Sequence, residues 1–129
     1  MTKILSVDDD QEILEVIKLI LERSGYRVMT AINGKDALEQ IQKFQQQIKL
    51  VLLDIMLPDM SGLDIFEFIC KRNHTPKVIF ISGAPITPEE ISSLKGKGAV
   101  DYIEKPFSKS TLVQAVKNTL SSDNVVKKK

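Results

Sequence analysis

A chain of 129 residues is long enough to bury one core without disulfide or metal staples and short enough to be a single domain. With 18 basic and 17 acidic side chains, its formal net charge of +1 leaves no surplus that calls for direct nucleic-acid contact or an anionic membrane. The one cysteine, Cys70, excludes an internal disulfide and suits a reducing cytoplasm, and no apolar run approaches the roughly 18 residues of a membrane span.

Met1-Thr2-Lys3 leads directly into a short strand, Ile4 to Val7, rather than into a signal peptide. That strand ends on three carboxylates, Asp8, Asp9 and Asp10. Gln11 to Ser24 reads as a helix with Ile13, Ile17, Ile20 and Leu21 on one face, stopped by Gly25. Arg27 to Ile32 is a second strand, Asn33-Gly34 a turn, and Lys35 to about Gln45 a helix with Ala37, Leu38, Ile41 and Phe44 inward. Leu50 to Asp54 reads as a buried third strand ending on an acid, and Pro58 and Gly62 break the chain behind it.

Leu63 to Arg72 is then a helix with Ile65, Phe66 and Ile69 on its buried side, and Cys70 in it reads as packing filler. Val78 to Ser82 is a fourth apolar strand. Pro88-Glu89-Glu90 opens a weaker helix that ends at Gly96 or Gly98, since proline and acids suit a first turn. Asp101 to Glu104 is a short fifth strand, followed by Lys105-Pro106-Phe107. A last helix from Ser108 or Lys109 to Leu120 packs Leu112, Val113, Val116 and Leu120. Residues 1–122 make the domain on this reading, and 123–129 a solvated, flexible, Lys-rich tail. Five strand–helix alternations imply an α/β fold, a parallel sheet with helices on both faces.

In a parallel sheet all carboxyl ends of the strands share one edge, where ligands gather. Asp8, Asp9 and Asp10, then Asp54, Ser82 and Lys105 would meet there. Singly, each has an ordinary account: helix caps, a strand terminus, a solvated lysine. Together they pose an electrostatic problem, because carboxylates about 4 Å apart repel by roughly 4 kcal/mol at an effective dielectric near 20. A few hard oxygen ligands open to solvent suit Mg²⁺, and an ionised Asp54 beside it can act as a nucleophile toward phosphorus. His74, in the Arg72–Thr75 loop, is expected to be solvated and apart from this edge.

The stretches around Asp8-Asp9-Asp10, LLDIMLPDMSGLD, FISGA and YIEKPF carry a resemblance over residues 3 to 120. In them the chain closely resembles the receiver domain of two-component response regulators. The resemblance implies a doubly wound, flavodoxin-like sheet of order 2-1-3-4-5. It also implies that Asp54 is the phosphoacceptor, taking a phosphoryl group from the phosphohistidine of a histidine kinase or phosphotransfer protein. Mg²⁺ would be held by Asp9 and Asp54, by Asp8 largely through water, and by the Met56 backbone carbonyl. Ser82 and Lys105 would contact phosphoryl oxygens, and the Lys105–Pro106 bond would be cis. Phosphorylation would draw Ser82 inward and admit Tyr102, whose ring otherwise faces solvent. The fourth helix, fifth strand and fifth helix, residues 88 to 120, would be the readout surface and a possible dimer face. The downstream partner would be a protein target or an output domain outside this chain.

In this family the residues two places after the phosphoacceptor and the hydroxyl residue flank the path of hydrolytic water. Here they are Met56 and Ala84, whose side chains cannot hydrogen-bond it, so a long-lived acyl phosphate is expected, while a small Gly83 leaves access open. An alternative is a Mg²⁺-dependent phosphohydrolase with an aspartyl nucleophile, but the usual second acid is replaced by Met56. A flavin module would need a glycine- and hydroxyl-rich phosphate loop where this chain has three carboxylates.

Overall fold

The computed structural model describes residues 3–72 and 76–127, with the backbone alone for 122–127. The expectation for His74 lies outside the described residues. Strands β1 (Lys3–Val7), β2 (Arg27–Ala31), β3 (Ile48–Leu53), β4 (Lys77–Ser82) and β5 (Asp101–Glu104) alternate with five helices. These are α1 (Gln11–Arg23), α2 (Gly34–Lys43), α3 (Gly62–Cys70), α4 (Pro88–Gly96) and α5 (Lys109–Lys127). The sheet is parallel throughout, in the expected order β2-β1-β3-β4-β5.

β3 sits at the centre and is apolar on both faces. Leu50, Val51, Leu52 and Leu53 are all essentially inaccessible, each side chain contributing roughly 1.5–3 kcal/mol on burial. Val51 and Leu53 join Leu5, Ile41, Ile65 and Phe80 in one core, under α2 and α3. Leu50 and Leu52 join Ile17, Leu21, Leu112 and Val116 in the other, under α1 and α5. The period-2 alternation of a strand puts consecutive residues into opposite cores.

Helix starts follow their caps. Asp10 accepts from Glu12 and Ile13 N–H, and Asn33 from Asp36 N–H. Ser61 and Thr87 form capping boxes with Asp64 and Glu90. Gly25, at φ 98°, supplies the left-handed residue just past α1.

The structure differs from the expectations in a few places. Leu14 is buried with Ile17 and Leu21 on the inner face of α1, while Ile13 and Ile20 are only partly buried at its edge. β3 begins at Ile48, which is buried and pairs with Lys3. The α5 backbone stays helical through Lys127, past the expected end at Leu120. Cys70 is exposed, its Sγ 3.8 Å from the Lys97 carbonyl, and is not core filler; partial burial and the Glu67 charge push its thiol pKa up. α4 buries no residue completely, as its sparse apolar pattern implied. Among the described residues no helix is long and apolar enough to cross a membrane.

Candidate functional site

β1 delivers Asp8 and Asp9 to the carboxyl edge of the sheet. β3, bonded to it by Asp54 N–H to Val7 O at 3.0 Å, delivers Asp54 beside them. One oxygen from each of the three carboxylates lies within 4.8 Å of the others. Asp8 and Asp54 are buried and Asp9 is exposed, so the cluster opens to solvent on one side. Asp10 turns away to cap α1, which separates its structural role from that of its two neighbours.

Lys105, just past β5, reaches across the sheet edge. Its Nζ donates to Asp8 Oδ2 at 2.5 Å and to Asp54 Oδ2 at 3.0 Å. The other Asp8 oxygen accepts from Asp10 N–H at 3.0 Å, and the other Asp54 oxygen from Met56 N–H at 3.2 Å. Among the described residues, three clustered carboxylates thus meet one ammonium, which bonds two of them. Burial raises the Asp8 pKa, and the Asp54 charge adds to that, while the bonds from Lys105 and from Asp10 N–H pull it back without cancelling it. Burial would lower the Lys105 pKa, but its bonds to Asp8 and Asp54 outweigh burial and the net shift is upward.

The donor set fits Mg²⁺. It is small, all oxygen and partly open, as suits a hard ion that keeps several waters. Asp8 and Asp54 at such separation repel by about 3 kcal/mol at an effective dielectric near 20, a cost that a divalent ion would offset beyond what Lys105 does. Met56, 66% exposed, points its side chain outward, leaving its backbone on the cluster side through the bond to Asp54. No acid stands where an aspartyl phosphohydrolase would have its second carboxylate.

Ser82 ends β4 and is fully buried, its Oγ accepting from Ala84 N–H at 3.2 Å. Tyr102 differs from expectation: its ring is turned inward and half-buried, and its Oη donates to the Ala84 carbonyl at 3.1 Å. The phenol finds a part-buried acceptor there. Burial, with Glu104 and Asp54 charges adding to it, raises the Tyr102 pKa, against a lowering bond from Ser82. Ser82, Ala84 and Tyr102 therefore form one connected group. Lys105–Pro106 is cis, as expected. An added Cβ at Gly83 would meet Lys105 Cβ at an ordinary 3.8 Å, so the backbone leaves room there.

Two features of the site went unread in the sequence. Gly62 is pressed against the site: a Cβ there would lie 2.1 Å from the Asp54 carbonyl oxygen. Asp59, in the same loop, accepts from Gly34 N–H at 2.8 Å and Lys35 N–H at 2.9 Å, and these bonds hold its pKa low. A glycine next to a capping serine was a visible signal for the first. The second depends on a partner some 25 residues away, for which the sequence carried no local sign.

An acid triad bridged by a lysine on the carboxyl edge of a 2-1-3-4-5 sheet narrows the possibilities, and a family comparison decides among them. The model of the response regulator receiver domain matches residues 4–117. The chain belongs to that family. Regulatory protein VanR of Enterococcus faecium is 42% identical to this receiver over 118 residues, which are 92% of this chain and 49% of VanR. The transcriptional regulatory protein CpxR homolog of Haemophilus influenzae is 37% identical over 93% of this chain and 51% of its own. A CheY-like receiver domain protein of Methanospirillum hungatei, known from its crystal structure, superposes with a TM-score of 0.85. It is 34% identical over 96% of this chain and 97% of its own. The receiver spans about half the length of the curated relatives it matches. It is a signalling domain of two-component systems.

Proposed function

We propose that this receiver accepts a phosphoryl group on Asp54 from the phosphohistidine of a histidine kinase or phosphotransfer protein. The observation that carries the reading is the meeting of Asp8, Asp9, Asp54 and Lys105 at one edge. An Asp54 carboxylate oxygen forms the new bond to phosphorus as the phosphorus–nitrogen bond breaks, and the leaving imidazole takes up a proton. Asp8, Asp9 and Asp54, with the Met56 carbonyl, would hold Mg²⁺, which supplies charge neutralisation between the acids and the incoming phosphoryl oxygens. Lys105, now shared between two carboxylates, can turn one of its donors to a phosphoryl oxygen, and Ser82 can donate to another.

The added charge of roughly −1.5 to −2 at this edge would favour Ser82 leaning inward with Tyr102 behind it. The face formed by α4, β5 and α5 would carry the change to a downstream protein or an output domain, with dimerisation through the same face. Residues 1–122 would constitute the working module and 123–129 a tail, in a cytoplasmic setting.

The test is an intact-mass measurement after incubation with acetyl phosphate and Mg²⁺, with Asp54→Asn and a chelated sample beside it. One phosphoryl group on the wild type alone, and only with metal, supports the reading. A folded wild type that gains none, or an Asp54→Asn variant that gains as much, overturns it.

A further inference from the structure

Asp59 stands at the exposed tip of the loop between β3 and α3, yet both its carboxylate oxygens are committed to another element. Oδ1 accepts from Gly34 N–H and Oδ2 from Lys35 N–H, two of the donors that a helix start leaves without intrahelical partners. Beside this pair Met60 lies over Gly34, where a Cβ would come within 2.3 Å of Met60 Cγ. The loop tip is therefore seated on the start of α2.

This seat closes a hydrogen-bonded circuit around the acids. Asp54 N–H donates to Val7 O, and Asp8, the residue just past β1, donates its N–H to Ala31 O, each at 3.0 Å. From Ala31 the chain runs through Ile32 and Asn33 to Gly34, and the Asp59 carboxylate returns the path to the loop that begins at Asp54. At its base the loop has no slack, since Gly62 N–H donates to Ile55 O at 2.6 Å and Gly62 abuts the Asp54 carbonyl. Of the links in this circuit, only that of Asp59 is made by a side chain, so it can be removed without disturbing a strand ladder.

We propose that Asp59 is a positioning residue for the metal end of the site, holding the Asp54–Met56 backbone in register with Asp8 and Asp9 through the start of α2. The proposal rests on the phosphoacceptor reading above. It differs from simple helix capping, because α2 already has its N-cap in Asn33, whose Oδ1 accepts from Asp36 N–H at 2.8 Å. Removing the Asn33 side-chain contact weakens the same helix start and leaves the loop tied.

The experiment compares the wild type, Asp59→Ala, Asp59→Asn and Asn33→Ala by calorimetric titration with Mg²⁺, and by amide hydrogen exchange over residues 55–61. Loss of a group that orients metal ligands typically weakens metal binding 10–100-fold. Asp59→Ala is expected to weaken Mg²⁺ binding by about tenfold and to speed exchange in the loop. Asn33→Ala is expected to leave the Mg²⁺ Kd within about twofold. Asp59→Asn keeps the shape with one acceptor and is expected to fall between; it gives the answer if the alanine variant does not fold. An unchanged Kd in both Asp59 variants, or an equal loss in Asn33→Ala, overturns the proposal while the phosphoacceptor reading stands. A wild type that binds no Mg²⁺ overturns that reading and the positioning role with it.

Discussion

Replacing Lys105 by methionine keeps most of the stem volume and deletes the ammonium that bonds Asp8 and Asp54. At 2.5 Å from Asp8 and 3.0 Å from Asp54, the ammonium gains about 6 kcal/mol from each at an effective dielectric near 20. Most of that gross attraction offsets the desolvation of side chains that are only 18, 3 and 7% exposed, for Lys105, Asp8 and Asp54 respectively. The net loss has a ceiling, because Asp8 can escape by taking up a proton. From its ordinary value of 3.8, holding that proton at pH 7 costs about 4 kcal/mol.

Without metal, Lys105→Met should therefore lose about 3–4 kcal/mol at pH 7, close to the usual cost of breaking a buried pair. The sign of the pH dependence follows. Asp8 already has a raised folded pKa, and losing Lys105 raises it further, so the folded state binds the proton more tightly than the unfolded one. The penalty is then flat up to the wild type's own Asp8 pKa, which already lies above 3.8, and from there grows by about 1.4 kcal/mol per pH unit until the variant's folded pKa is passed. Urea unfolding followed by far-UV circular dichroism, in EDTA at pH 5 and pH 7, measures it. A loss below about 1 kcal/mol at pH 7, or one equal at the two pH values, would refute the electrostatic account. Millimolar Mg²⁺ should recover part of the loss, since a divalent cation can stand in for the missing charge.

Gly62→Ala forces a Cβ to within 2.1 Å of the Asp54 carbonyl oxygen, so that backbone must move by about 1 Å or more. A destabilisation of about 1–3 kcal/mol in urea, with slower phosphorylation by acetyl phosphate in the mass assay, is expected. Asp9→Asn removes one of the mutually repelling acids, and should raise the melting temperature in EDTA while abolishing the further rise that Mg²⁺ gives the wild type. The phosphorylated receiver should decay slowly in Mg²⁺ without a phosphatase, because Met56 and Ala84 offer hydrolytic water no side-chain partner; a half-life of seconds defeats that reasoning.

The sheet was legible because its three inner strands are buried on both faces and so read as nearly continuous apolar runs, Leu50 to Leu53 above all. The acids were legible because a parallel sheet sends every strand end to one edge, which turns separate sequence positions into neighbours. What escaped depends on three-dimensional approach rather than on periodicity. Leu14 is buried because the inner face of α1 is centred on Ile17 and Leu21, which turns Ile13 and Ile20 toward its edge, an angular choice that several apolar registers allowed. Asp59 carried no sign of its role because its partners, Gly34 and Lys35, lie in a different βα unit. Tyr102 was placed in solvent, and its inward seat depends on the Ala84 carbonyl being presented by the loop after β4. No pattern in Asp101 to Glu104 specifies that.

These corrections share a direction: the two sides of the site are held very differently. On the side of β1, β3 and α2, backbone ladders, the Gly62 contact and the Asp59 bonds leave the acids little freedom. On the other side, Ser82 and Tyr102 meet at Ala84, in the loop that leads into a helix with no fully buried residue. Elements with few buried contacts rearrange at the lowest free-energy cost. Placing α4 there means that, on the proposed reading, a charge change at Asp54 would be answered by moving Ala84 and α4, while the geometry of the three carboxylates stays fixed. A rim laced equally tightly on both sides would hold the carboxylates as well but would have nothing inexpensive to move.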